Sequence, residues 1–312
     1  MTDLLTRAQL RMLGQTLRAE PADLDGLARL GAHDLRVLHE RISGLLFDAD
    51  EPVFARLAKL SPLMPNALLT KIAVAAVPPE VGGRAGGSLG LAHPDRIADV
   101  LSALPARYLA DAAPHLDPRT IAGLAPRLSG QILIPTAVEL LRRADYPTAG
   151  RFVEHATDTL IDELERGITD DVGLLRAIAV IPDAERLDTV VGRLPAARRA
   201  AVLRAAATDS DDAVLAALSV LARLNAEPRA HSTTTLIESL DDEELTRVVS
   251  IAVHRQALGE LLAALSETSA AVGLRVADII ATASGELGAA LADAADTVEL
   301  RGRLNALRAL RA

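Results

Sequence analysis

Five consecutive residues, Gly86-Gly87-Ser88-Leu89-Gly90, fit G-x-S-x-G, the pattern that lifts a nucleophilic serine on a sharp strand-to-helix turn. Such an elbow needs a β-strand before the serine and a parallel sheet beneath it. Here Pro78-Pro79-Glu80-Val81-Gly82-Gly83 precedes it, and no β-rich segment elsewhere supplies a sheet. The same stretch has no Lys to hold a phosphate. A second cluster, Glu154, His155, Asp158 and Asp162, falls within two helical turns, so His155 with either aspartate could share a face and hold a divalent cation. A solvated helix junction accounts for these residues equally well. Two acidic runs, Asp48-Ala49-Asp50-Glu51 and Asp209-Ser210-Asp211-Asp212, lack the glycine and terminal glutamate of an EF-hand loop. Both are read as helix starts, where negative charge suits the helix dipole. The seven histidines form no HExxH pair. Cysteine is absent, which excludes a thiolate nucleophile, a thiolate metal site and a disulfide framework, and points to a reducing compartment.

The elements that must position these residues are helices. His93-Pro94-Asp95-Arg96-Ile97 onward and Asp117-Pro118-Arg119-Thr120-Ile121 onward align at an offset of 24 residues. Their apolar positions, Ile97, Val100 and Leu104 against Ile121, Leu124 and Leu128, recur at helical spacing. A third copy carries Leu187, Val190 and Leu194, and a looser fourth carries Leu245, Val248 and Leu258. Asp117 before Pro118 reads as an N-cap, and Asp241 with Glu244 as a capping pair. Pro105 and Pro195 split their repeats into helix, turn and helix, while Pro21, Pro52 and Pro182 mark further starts. A two-helix unit of about 25 residues cannot cover its own apolar face, so it must stack on a neighbour.

The expected fold is therefore all-α, a right-handed superhelical α-solenoid of short helix pairs. Four regions are expected: an N-terminal helical group over 1–78, a Gly/Pro-rich loop or frayed helix over 79–91, a superhelical repeat region over 92–225, and C-terminal helices over 226–312. The last of these ends in a long amphipathic helix from Glu286, with Leu291, Val298, Leu304 and Leu307 on one face and Arg301, Arg303, Arg308 and Arg311 near its end.

The phrases Ala103-Leu104-Pro105-Ala106-Arg107 and Gly192-Arg193-Leu194-Pro195-Ala196, inside proline-started helix pairs, resemble the cytosolic N-terminal domain of MgtE-type magnesium transporters. The run Tyr146-Pro147-Thr148-Ala149-Gly150-Arg151-Phe152-Val153 is similar to a group of stand-alone bacterial proteins, seen in actinobacteria and elsewhere, that carry this superhelix alone. The resemblance implies a right-handed, armadillo-like superhelix of α-hairpins. It implies no transport, because the transporter's CBS pair and membrane domain have no counterpart here.

Composition narrows the function. Half of the residues are hydrophobic but only 2% are aromatic, so the core must be small and branched aliphatics. No run of about 18 uncharged apolar residues spans a membrane, and a net charge of −9 disfavours nucleic acid. The N-terminus has Asp3 where a signal peptide wants cations, so a cytoplasmic protein is expected. The leading expectation is a non-catalytic interaction or scaffold module that binds another protein or itself. Its concave face or its C-terminal helix would make the contact, with Tyr146, Arg151, Leu304 and Leu307 as partner-binding candidates. A regulatory sensor of Mg²⁺ or a small ligand is the first alternative. An apolar-ligand or membrane-surface protein using the basic tail is the second. No catalytic residue and no cofactor is expected, Mg²⁺ being the alternative.

Overall fold

A computed structural model of the chain describes residues 3–60, 65–283, 285–294 and 298–310. Among these residues every regular element is a helix: twenty short α-helices joined by turns and three 3-10 segments, with no strand. The chain divides into two compact units, Thr2–Gly173 and Leu174–Ala312, so the boundary falls inside the 92–225 span.

The first unit holds α1 (Leu4–Leu17), α2 (Gly31–Leu60), α3 (Asn66–Ala76), α4 (Pro79–Ala92), α5 (Pro94–Ser102), α6 (Ala106–Ala112), α7 (Pro118–Leu124), α8 (Gly130–Arg142), α9 (Tyr146–Glu154) and α10 (Asp158–Gly167). The glycine-rich 79–91 segment, read from composition as a loop or frayed helix, is the helix α4. It packs against α2, α5, α6 and α7 at once. Its glycines recur four apart, and the stripe they form is where the neighbours close in. A Cβ at Gly83 would overlap the Ala112 carbonyl oxygen and come within 3.0 Å of His115 Cβ. At Gly90 it would stand 2.6 Å from Leu124 Cδ2. The helix-propensity cost of about 1 kcal/mol per glycine is offset because missing side chains let helix backbones approach and bury their surroundings.

Two readings of the punctuation change. The α2 helix runs on through Pro52, so the run Asp48 to Glu51 lies within a helix and not at a helix start. Asp48 is drawn instead to Arg119 beyond α7's N-cap (2.8 Å) and Asp50 to Arg84 of α4 (3.2 Å). Long-range pairing, invisible in a local pattern, decides their place. The 24-residue repeat does form helix pairs, with Ile97, Val100, Ile121, Leu124 and Leu128 buried, and Pro105 standing at the N-cap of α6.

The second unit continues α11 (Asp171–Ala179) into α12 (Ala184–Arg193), α13 (Ala196–Thr208), α14 (Asp211–Arg223), α15 (Ala226–Ser239), α16 (Asp242–His254), α17 (Leu258–Leu265), α18 (Ala270–Thr282), α19 (Gly285–Ala294) and α20 (Val298–Ala309). The C-terminal stretch thus comprises two described helices, α19 and α20, on either side of residues 295–297. Principal packing joins each helix to those one, two or three places along the chain. Helix α14 is apolar nearly all round, burying Ala213 through Leu218, Val220 and Leu221, and so takes the centre.

The helix ends are tied by side chains. Asp241 accepts from Glu244 N at 2.8 Å while Glu244 Oε2 accepts from Asp241 N at 3.0 Å, the reciprocal pair that the sequence predicts. Ser210 caps α14, and Asp211 and Asp212 in its first turn pair with Arg255 at 3.2 and 3.1 Å. At the other ends, arginines reach carbonyls three helices back. Arg223 of α14 donates to Ala179 O at the end of α11 (2.6 Å) and to Ile181 O. Arg247 of α16 donates to Ala207 O (2.6 Å) and Asp209 O (3.0 Å) at the end of α13. Arg275 of α18 donates to Ile237 O (2.7 Å) and Leu240 O (3.0 Å) at the end of α15. These are carbonyls that short helices leave without a partner of their own.

Two stability outcomes follow. Arg275→Met, which keeps the aliphatic stem but drops the charged donors, is expected to lower unfolding free energy by about 2 kcal/mol in urea titration; an unchanged midpoint would show the clamp contributes nothing. In the first unit, Gly83→Ala is expected to cost about 1–3 kcal/mol through overpacking. Gly123→Ala, with nothing within 4 Å of its new Cβ, is expected to gain about 1 kcal/mol from helix propensity. The same sign for both variants would refute the close-approach account of α4.

Candidate functional site

The polar side chains of the first unit gather where α1, α2, α7 and α9 meet. His39 of α2 is 2% exposed, and its Nε2 lies 3.0 Å from Thr16 Oγ1 of α1. Burial, with Arg151 close by, lowers its pKa to about 4, so the ring is neutral at pH 7. Arg151 of α9 is half-buried and donates to Leu116 O at 3.3 Å. Burial brings its pKa down to about 10 against the pull of Glu154, Asp117 and Asp145, and it remains a cation at neutral pH. Glu154 pairs with Arg36 of α2 at 3.1 Å, and Arg36 also holds Glu40 at 2.9 Å. Burial alone would lower the Arg36 pKa; its hydrogen bonds and charge attraction to the two glutamates outweigh burial and raise it.

Asp117, buried at the N-cap of α7, is gripped by Arg119 at 2.7 Å. That guanidinium also stands 5.4 Å from the centre of the Phe47 ring. Its hydrogen bonds to Asp117, then Asp48, hold its pKa above the usual arginine range. Between α1 and α9, Arg11 donates to Ala144 O (2.9 Å) and Gln15 to Asp145 Oδ2 (3.3 Å). Gln9 Oε1, Asp145 Oδ1 and Thr148 Oγ1 are buried without a hydrogen-bond partner in the protein. A small polar cavity of about 30 Å³, lined by Thr16, Ser43, Arg84, His115 and Asp117 among others, has room for about two water molecules.

The centre ties helices together: Arg36 joins α2 to Glu154 of α9, Arg119 joins α7 to Asp48 of α2, and the neutral His39 imidazole faces Thr16. One serine does meet a histidine elsewhere: Ser250 Oγ lies 3.2 Å from His254 Nδ1. The same Nδ1 is 2.8 Å from the Ser250 carbonyl oxygen, which only accepts, so Nδ1 carries the proton and cannot take another from the hydroxyl. The G-x-S-x-G segment lies inside α4, helical on both sides of Ser88, which is not the strand-to-helix turn that an elbow requires.

The metal candidates end up dispersed in role. Glu154 closes α9 and is taken by Arg36, His155 is the C-cap of α9, and Asp158 and Asp162 ride on α10. Among the described residues no three His, Asp or Glu converge on a point that could hold a metal ion. The partner candidates lie as follows. Arg151 turns into the polar centre, and Leu304 and Leu307 are 2% and 8% exposed, facing the chain itself. Leu307 lies over Gly273 of α18, because α20 folds back on α17 and α18 and its apolar stripe is consumed there. Tyr146, the first residue of α9, is half-buried. Arg311 of the basic tail lies outside the described residues, while Arg303 pairs with Glu299 at 2.8 Å.

The unspent surface is one that sequence reasoning passed over. Helix α3 buries none of its residues. Leu68, Ile72 and Val74 are 46%, 41% and 49% exposed, and Ala75, seven residues from Leu68 and three from Ile72, extends the side those two share. Leu69 reaches inward to Ile97, Val100 and Leu124. The signal lay in Asn66 to Ala76 itself, eleven residues with Lys71 as their lone charge. Among the described residues no helix is long and apolar enough to cross a membrane. Comparison with protein-family models, curated proteins and solved structures finds no match for this chain.

The buried imidazole gives a pH dependence of known sign. An unfolded His39 takes its proton near the ordinary 6.5 and the folded one only near 4. Its contribution is therefore full above pH 6.5, falls as pH drops toward 4, and levels off below, a loss of roughly 3 kcal/mol in all. Urea unfolding between pH 4 and 7 is expected to show a shallower pH slope for His39→Gln than for the parent; parallel curves would contradict the burial of a neutral ring.

Proposed function

We propose that this chain is a non-catalytic interaction module, an array of short helices that presents the outer face of α3 to another protein. The observation that carries the reading is α3 itself, whose Leu68 and Ile72 stand one turn apart and uncovered. An eleven-residue helix is marginal in water unless an apolar face is buried. Among the described residues, the Leu69 side of α3 is the one packed on a core cluster. Among the described residues, other exposed aliphatics such as Leu17, Val81 and Val138 sit on separate helices, while Leu45 and Val53 share α2 eight residues apart. A partner with an apolar helix face suits α3, and an acidic residue there would meet Lys71.

The array is proposed to be superhelical, in keeping with the resemblance to MgtE-type N-terminal domains. Support comes from the second unit, where packing joins near neighbours in the chain and the arginine clamps repeat at an offset of three helices. Stacking of that kind is how two-helix units dry their faces.

Photo-crosslinking in the native lysate tests the assignment. A photoreactive residue at Ile72 is expected to give a defined adduct with a second protein, and the same residue at exposed Arg127 is expected to give none. Leu68→Glu should abolish the adduct while leaving the circular dichroism spectrum unchanged. Adducts solely with copies of the same chain would replace the partner by self-association. Absence of any adduct would remove the proposal.

A further inference from the structure

The first unit contains an apolar cavity of about 70 Å³, partly open to solvent, enclosed by α4 through α8 with Phe152 of α9 closing one side. Among the described residues its wall comprises eighteen, none of them charged, and of these Tyr108 and Thr136 carry a polar side-chain atom. Both hydroxyls are committed to backbone: Tyr108 Oη donates to Val77 O at 3.2 Å and Thr136 Oγ1 to Ile132 O at 2.8 Å. The wall offers no charge and no spare hydroxyl donor, so an apolar body suits it better than a charged one.

One position in the wall is small without a packing reason. At Gly82, Gly83, Gly87 and Gly90 of α4 a Cβ would press on neighbouring atoms, so the small residue is needed for close approach. At Gly86 the nearest atom to a new Cβ is Leu116 Cδ2, at 4.0 Å. Alanine would fit there in ordinary contact. Glycine at 86 therefore weakens the helix and leaves space, with no packing demand to explain it.

We propose that this cavity is a binding site for a small uncharged apolar ligand, a short alkyl group seated against Gly86 between α4 and the helices facing it. Size sets the class. A cavity of about 150 Å³ lined by aliphatics admits benzene, and one of 70 Å³ takes a smaller body. Dispersion contacts with Ile97, Leu116 and Leu133, and not hydrogen bonds, hold it. The assignment is independent of the α3 face.

Xenon titration of the full chain, labelled at isoleucine and leucine methyls, tests it by NMR, with propane as the alkyl probe. Saturable shifts are expected at Ile97, Leu116 and Leu133 for both. Gly86→Ala is expected to keep the thermal midpoint at or above that of the parent and to weaken binding by about fourfold, one methylene's worth of contact. Gly123→Ala, on α7 with open space around its Cβ, is expected to bind as the parent does. Failure to saturate, shifts mapping to other methyls, or equal affinity in Gly86→Ala would each overturn the site.

Discussion

A protein made of short helices has an unusual number of helix ends, and each end carries backbone groups with no partner inside its own helix. The rest of this structure depends on how those ends are satisfied. N-termini are closed locally, by Asp3, Asp117, Thr157, Asp183, Ser210, Asp241 and Ser269, each within three residues of the amide it serves. C-termini in the second unit are closed from a distance, by Arg223, Arg247 and Arg275, each reaching to the helix three places back. A guanidinium suits this role because several donors in a fixed fork can serve two carbonyls together and its charge complements the negative end of the dipole. The same contacts set the spacing at which successive helices stack, so the end groups and the apolar faces agree on one arrangement.

The first unit meets a different demand. Its helices crowd about α4, and the crowding is bought with glycine. Missing Cβ atoms allow Ala112, Tyr108 and Leu124 to reach the α4 surface, and the aliphatic burial so gained exceeds the propensity lost. Beside this centre the charged residues of α2, α7 and α9 neutralise one another, with Asp117 inside the Arg119 fork and Glu154 against Arg36. On α3, by contrast, the aliphatic side chains of Leu68 and Ile72 stand exposed.

The candidate site was legible in the sequence only where local pattern governs it. The capping pair Asp241 and Glu244, the N-cap at Asp117 and the buried stripes Ile97–Val100, Ile121–Leu124 and Leu187–Val190 all occupy the places their spacing implies. By contrast, Leu304 and Leu307 form an amphipathic stripe whose direction the pattern cannot state. A helix's apolar face says that something covers it, not whether the cover is its own chain, and here α18 is the cover. Asp48 to Glu51 and Pro52 resembled a helix start because Pro favours first turns, yet α2 continues through them.

The sequence by itself determined that the chain is helical, where its helix pairs break and which side of each helix is apolar, because 3.6-residue periodicity, proline and capping oxygens act over a few residues. Only the tertiary structure decided that a glycine-rich stretch is a packed helix, that arginines tie ends three helices apart, and that α3 is left bare while α20 is not. Those outcomes rest on which surfaces meet across tens of residues, and a one-dimensional pattern carries the need for a partner without the partner's address.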